Sequence, residues 1–169
     1  MLFEVSVESV RVSLMSSHRM IVLKEVDEER YLPIWIGPYE ADAIAIELQG
    51  IKTPRPLSHD LLKQAILTLG GRVSHVVINN LQHDTFFASV VLDQGGQELE
   101  LDARPSDSIA LAVRVKAPIF VDSAVMDRAG IIKEPDLQQQ KQRLRDEEGL
   151  EVFREFIEEL DLDTSDEAD

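Results

Sequence analysis

Two similar stretches decide the fold: residues 32–48 read LPIWIGPYEADAIAIEL, and residues 97–113 read QELELDARPSDSIALAV. A shift of 65 positions places Asp42 on Asp107 and aligns apolar residues that follow them. Each stretch has an alternating segment typical of a strand, a proline at a turn, an acidic residue and an Ala/Ile-rich segment typical of a helix. The second stretch has the more polar turn, and we therefore look there first for function.

The surrounding sequence extends each copy to three strands and a helix. Residues 6–48 and 71–113 both follow this order, and the segment between them predicts a linking helix. A turn is predicted at Asn79–Asn80, between the first two strands of the second copy. Consecutive strands favour antiparallel pairing. Residues 1–135 are therefore predicted to form an α+β, two-layer domain of duplicated βββα halves with a mostly antiparallel sheet.

The C-terminal part has a different composition. Residues 136–160 are polar and helix-prone at first and then carry apolar residues at helical spacing, which predicts a helical extension. Residues 161–169 read DLDTSDEAD and have the charge typical of a disordered acidic tail.

Composition restricts the functions open to the chain. It has no cysteine, which excludes disulfides, thiolate metal sites and cysteine nucleophiles. No apolar run approaches the roughly 20 residues that cross a bilayer, and the N-terminus lacks the basic segment of a secretory signal. We therefore expect a cytoplasmic protein without a membrane partner. The net charge of −15 repels phosphate backbones unless positive charge is segregated or a divalent cation bridges. Trp35, with no basic cluster beside it, is interpreted as a packed aromatic rather than a base-stacking platform.

The turn between the second copy's strand and helix is the first candidate site. Asp102, Arg104, Ser106 and Asp107 are expected to converge beside the free N–H groups of a helix start. Two carboxylates there can hold a divalent cation that polarises a phosphoryl oxygen. The alternative is structural, because Ser106 or Asp107 can cap the helix while Asp102 and Arg104 form a local ion pair.

The linking segment holds a second candidate, where Arg55 precedes Ser58, His59 and Asp60. A histidine beside an aspartate at a helix start can act as a general base or a metal ligand. Capping by Ser58 and a favourable helix-dipole interaction of Asp60 explain the same pattern without chemistry. Glu40 begins the first duplicated helix, so pseudo-symmetric packing would bring its turn and the second copy's turn to one cleft.

Three separated blocks resemble the bifunctional nuclease (BFN) domain family: LPIWIGPYEADAIAIELQG, TPRPLSHDLLKQAI and LELDARPSDSIALAVRVKAPIFV. They occur in the family's order and spacing, and the resemblance covers roughly residues 1–135. The positions that match the family motifs are Glu40, Arg55, Pro56, His59, Asp60, Asp102, Arg104, Pro105, Ser106 and Asp107. Ser58 stands where the family usually has threonine, which keeps the hydroxyl.

The resemblance implies a compact α+β domain that often self-associates, is found in bacteria and plants, and has nuclease activity on DNA and RNA in some members. We accordingly expect a bacterial homodimer or higher homo-oligomer. The family brings no settled catalytic mechanism, so the roles of individual residues rest on their chemistry.

The first hypothesis is a nuclease that hydrolyses phosphodiester bonds of DNA or RNA, assisted by Mg²⁺ or Mn²⁺. The metal ligands would be Glu40, Asp60, Asp102 and Asp107. The catalytic residues would be His59, Asp60, Asp102, Arg104 and Asp107, with His59 as general base. Arg55 and Ser106 would bind the substrate, and Arg55 and Arg104 would clamp phosphate.

The second hypothesis is a non-enzymatic binding or assembly module. An acidic chain is poorly suited to unaided capture of nucleic acid, which favours this alternative. The motif residues would then form a structural polar network between the linking helix and the second duplicated helix. Its members would be Arg55, Asp60, Asp102, Arg104 and Asp107.

Overall fold

The computed structural model describes residues 1–13 and 17–132. The predicted helical extension over residues 136–160 and the acidic tail over residues 161–169 lie outside them. The elements of the described part are β1 (Leu2–Val12), β2 (Arg19–Glu25), β3 (Arg30–Ile36), α1 (Pro38–Leu48), α2 (Ser58–Thr68), β4 (Arg72–Gln82), β5 (Thr85–Gln94), β6 (Gln97–Ala103), α3 (Pro105–Val115), β7 (Ile119–Asp122), α4 (Ser123–Ala129) and β8 (Ile131–Ile132). None of these helices has the length and apolar character needed to cross a bilayer.

The strands form one sheet in the order β6-β5-β4-β7-β1-β2-β3-β8. Every pairing is antiparallel except that between β4 and β7. The predicted α+β fold with a mostly antiparallel sheet is thus confirmed. Two three-stranded meanders, β1-β2-β3 and β4-β5-β6, lie on either side of β7. In the chain, β7 follows both meanders, yet in the sheet it lies between them.

The third strand and the helix of the two copies match at a spacing of 67 positions rather than 65. β3 and β6 both have seven residues, α1 and α3 both have eleven, and their bounds differ by 67 throughout. The pairing of Asp42 with Asp107 is therefore wrong by two residues, because an Ala/Ile-rich helix matches a similar helix in more than one register. Glu40 is the structural equivalent of Asp107, and each is the third residue of its helix.

The turn predicted at Asn79–Asn80 is also wrong. β4 continues through these asparagines to Gln82, with a bulge between Ile78 and Asn80. The chain reverses instead at His83–Asp84, both of which have positive φ, as tight hairpin turns require. Asn79 is used within the sheet, where its Nδ2 donates a hydrogen bond to Ser89 Oγ at 2.7 Å.

Helix α3 is the central helix of the domain. It packs against α1, α2, β4 and β5, and most of its residues are buried. Alanines at positions 110 and 112 let its neighbours approach closely, while Ile109 and Leu111 complete the apolar core. Helix α2 has only Ile66 buried, so its position depends on contacts at its N-terminal end.

Candidate functional site

The N-termini of three helices meet at one cavity of about 630 Å³. First-turn residues of α1, α2 and α3 line it together with Arg104. The N-cap residues are Gly37, Leu57 and Arg104, none of which has a side chain that can accept a hydrogen bond from the helix. The interpretation of Ser58, Ser106 or Asp107 as an N-cap is therefore wrong. The first-turn N–H groups are left available for an anion.

Arg104 joins the equivalent acids of the two halves. Its Nη2 donates to Glu40 Oε1 at 2.8 Å, and its Nε donates to Asp107 Oδ2 at 2.7 Å. The other oxygen of Asp107, Oδ1, lies 2.9 Å from His59 Nε2 on α2. The turns of both copies thus face one cleft, as expected, and a chain of four side chains links α1, α3 and α2 across it.

Electrostatics fix the charges of Asp107 and Arg104. Burial alone would raise the pKa of the Asp107 carboxyl, but hydrogen bonds from Arg104 and His59 outweigh it and hold that pKa below its usual value. The same contacts with Asp107 and Glu40 raise the pKa of the Arg104 guanidinium. Asp107 is therefore ionised at neutral pH and accepts a hydrogen bond from His59 Nε2.

The second ring nitrogen of His59 is open to the solvent. Within the described residues its Nδ1 makes no hydrogen bond, and since no buried side-chain nitrogen or oxygen there lacks a partner, Nδ1 must be accessible to water. With Nε2 donating to Asp107, Nδ1 carries the lone pair and can accept a proton. This arrangement is that of a general base held in orientation by a carboxylate.

Asp60 belongs to a different network. Its Oδ1 accepts a hydrogen bond from Arg114 Nε at 2.7 Å, and its Oδ2 accepts one from the Leu57 N–H at 2.8 Å. Burial alone would raise the pKa of Asp60, but these two partners lower it below the usual value. The side chain of Arg114 is only 2% exposed and also donates to the carbonyls of Ala110 and Ala43, at 2.8 and 3.0 Å. Arg114 therefore ties α1, α2 and α3 together from below the cavity.

The sequence of the chain matches a known protein family. A family model described as the bifunctional nuclease domain matches residues 21–134, which is more than half of the chain. The chain belongs to the bifunctional nuclease domain family. The matched span includes the cavity residues Glu40, His59, Arg104 and Asp107, and the predicted membership is thus confirmed.

Relatives of this BFN domain fall into two groups. An uncharacterised protein of Mycobacterium tuberculosis is 40% identical over 160 residues, which cover 95% of this chain and 96% of the relative. Bifunctional nuclease 1 of Oryza sativa subsp. indica is 32% identical over 118 residues, covering 68% of this chain and 36% of the plant protein. Bifunctional nuclease 1 of Arabidopsis thaliana is 31% identical over 109 residues, covering 62% and 34%. The plant proteins are thus similar to this BFN domain over about a third of their own length.

Four of the predicted site residues do not line the cavity: Asp60, described above, and Asp102, Arg55 and Ser106. Asp102 is exposed on the edge strand β6, opposite Ser89, and the predicted ion pair between Asp102 and Arg104 is wrong because Arg104 binds Glu40 and Asp107 instead. Arg55 is exposed, and its guanidinium has no ion pair within the described residues. Ser106 lines a separate cavity that shares Arg104 with the first.

The four carboxylates proposed as metal ligands do not fit a metal site. Glu40 and Asp107 both bind the Arg104 guanidinium, Asp60 binds Arg114, and Asp102 lies elsewhere. Residues 1–13 and 17–132 contain no group of three or more histidine, aspartate or glutamate side chains that could hold a metal ion. No step below is therefore derived through a bound metal.

Proposed function

We propose that this BFN domain hydrolyses phosphodiester bonds of nucleic acid in the cavity between the N-termini of α1, α2 and α3. The observation that carries the proposal is the chain from Arg104 through Asp107 to His59, with His59 Nδ1 free to take a proton. Family membership supports it, because the plant relatives are named bifunctional nucleases.

In this proposal His59 is the general base. Its Nδ1 takes a proton from the attacking oxygen, a water or a ribose 2′-hydroxyl, as that oxygen bonds to phosphorus and the P–O bond to the leaving oxygen breaks. Asp107 holds the ring in orientation and stabilises the imidazolium that forms, as the carboxylate of a hydrolase triad does. The leaving oxygen takes its proton from water.

Arg104 and the helix N-termini would bind the phosphoryl oxygens. The side chain of Arg104 is 64% exposed, and its two bonds to Glu40 and Asp107 leave further guanidinium hydrogens for a phosphate. The N–H groups of the first helical turns can add hydrogen bonds to negative charge as it develops in the transition state. Glu40 would be a positioning residue, since it fixes Arg104 from the opposite helix.

Charge around the cavity predicts weak, short-range binding. Glu40, Asp42 and Asp107 outnumber Arg104 as long as His59 is neutral. Long-range attraction of a polyanion is therefore not expected, and affinity depends on contact hydrogen bonds. With one arginine neutralising one phosphate, the slope of log affinity against log salt should be only about −0.7 for a single strand.

The test is a nuclease assay on single-stranded and duplex DNA and RNA, each run with EDTA and with Mg²⁺ or Mn²⁺. His59→Ala and Asp107→Asn should each lower kcat by about 10²–10⁴-fold. Asp102→Asn is the matched control, because it changes the same functional group outside the cavity and should leave the rate unchanged. Full activity in both cavity variants would contradict the proposal. Loss of activity in Asp102→Asn would indicate that the active site lies on β6 instead.

A further inference from the structure

The single tryptophan of the chain is not packed. Trp35 lies near the end of β3, and 66% of it is exposed, so its interpretation as a packed aromatic is wrong. Its ring makes an edge contact with the His18 ring, with centroids 6.0 Å apart and planes at 76°. An exposed aromatic side chain is not by itself a sign of a ligand site, so the cavity that Trp35 lines decides its interpretation.

Trp35 lines a second cavity, of about 270 Å³, that shares Arg104 with the first. Phe86 adds another aromatic ring to its wall. Ser106 is only 5% exposed, yet its hydroxyl makes no hydrogen bond and is not among buried atoms without a partner. The Ser106 hydroxyl therefore opens into the cavity that this residue lines. Asp84, in the hairpin turn, places a carboxylate at the same wall.

We propose that the Trp35 cavity binds one nucleobase of the substrate strand, stacked on the Trp35 ring. The proposal rests on the proposed function, which places the scissile phosphate at Arg104. Because Arg104 lines both cavities, the phosphate and the base of one nucleotide would both lie beside this residue.

The chemistry of the cavity fits a base. Its volume is slightly below the range of about 300–1,000 Å³ that holds drug-sized ligands, which suits one flat ring system rather than a longer segment. Aromatic faces bind any base by stacking, and arginine adds a cation–π contribution. The free hydroxyl of Ser106 and the carboxylate of Asp84 can bond to the base edge, as donor or acceptor and as acceptor respectively.

A preference for single strands follows. In a duplex both faces of each base are already stacked and its edge is paired, so a base must leave the helix to reach Trp35. Single-stranded DNA or RNA carries no such cost. Stacking also tolerates all bases, so the expected preference is for strandedness rather than for sequence.

Intrinsic fluorescence tests this directly, since Trp35 is the only tryptophan. Adenosine 5′-monophosphate and a short single-stranded oligodeoxyadenylate, the latter added to His59→Ala protein, should quench the emission saturably. Ribose 5-phosphate, which has the phosphate but no base, should not. Quenching by all three, or by none, would overturn the base site.

Kinetics and binding provide the second measurement. Trp35→Ala should weaken binding of the oligodeoxyadenylate about 5- to 100-fold by calorimetry, while Trp35→Phe should retain most of the affinity. If the nuclease is active, the loss in Trp35→Ala should fall on KM rather than kcat. Base-dependent quenching without any cleavage by the wild type would remove the proposed function and keep the base site. Cleavage that depends on His59, with binding unchanged in Trp35→Ala, would keep the proposed function and remove the base site.

Discussion

Arg114→Met removes a buried cation that holds three helices in place. The guanidinium donates to Asp60 on α2, to the Ala110 carbonyl within α3 and to the Ala43 carbonyl of α1. Methionine fills much of the same space without donors, so the variant isolates the polar contribution from packing. Helix α2, with Ile66 as its only buried residue, should be the first element to lose its position.

The expected cost can be worked out from burial. Removing one partner of a buried ion pair costs about 3–5 kcal/mol, because the other charge is left uncompensated. Arg114 is 2% exposed, whereas 32% of the Asp60 side chain is exposed and can regain water. This places the loss near the lower end, at about 3 kcal/mol. For a domain of this size, that corresponds to a fall in Tm of about 10 °C.

Urea unfolding followed by far-UV circular dichroism measures the difference in free energy of unfolding. Arg104→Met is the matched control, since Arg104 also joins helices but is 64% exposed, while its partners Glu40 and Asp107 are 18% and 31% exposed. Because water can enter where the exposed guanidinium lay and solvate both carboxylates, the control should lose less stability than Arg114→Met. Equal losses in both variants would refute the assignment of Arg114 to the structure and of Arg104 to the cavity.

Two further outcomes are expected. The pKa values of Asp60 and Asp107 lie below the ordinary value, so the unfolded chain binds protons first as the pH falls. Their contribution to stability should be complete above about pH 5 and decline below about pH 4; urea midpoints that stay constant through this range would contradict it. Gly130→Ala would place a Cβ in steric overlap with the Met126 carbonyl oxygen, so the backbone after α4 must shift. A loss of about 1–3 kcal/mol is expected by thermal melting, and an unchanged Tm would show that this close approach is absent in solution.

Most strands and helices can be predicted from the sequence, because their apolar periodicity is a local property. Features that depend on pairing between distant segments cannot be predicted in this way. Asn79 and Asn80 have the composition of a turn, yet β4 passes through them with a bulge, after which its pairing with β5 resumes at Asn80. Likewise, β7 has four residues and no pattern that shows it pairing in parallel with β4. Its place at the centre of the sheet depends on two meanders that are distant in the chain.

The residues of the candidate site also differ in whether a local sequence pattern predicts them. Glu40, His59, Arg104 and Asp107 are predicted because acids, a histidine and an arginine at helix starts are a local signal. Asp102 is misplaced although it is two residues from Arg104, since it lies on β6 while Arg104 begins a helix.

Arg114 is missed because a charged residue in the last turn of a helix ordinarily faces water. A signal does exist in the helical spacing, because Arg114 follows the apolar residues Ala110 and Leu111 by four and three positions and so lies on the same face. A buried cation requires an acid as partner. That acid is Asp60 of α2, which the sequence predicts as a metal ligand, a catalytic residue or a member of a network that does not include Arg114.

Arg104 and Arg114 belong to separate networks, so a loss of activity has a different meaning in variants of each network. Asp60 and Arg114 hold the walls of the cavity, so a loss of activity in their variants is expected from a shift of α2 and says nothing about chemistry. Asp107 and His59 line the cavity, but their side chains are only 31% and 12% exposed, so their variants can also lose stability. The informative result is therefore a variant of Asp107 or His59 with an unchanged Tm. If such a variant loses cleavage, the cavity is catalytic; if it loses nothing, the Arg104 network joins three helices and the binding-module hypothesis is favoured.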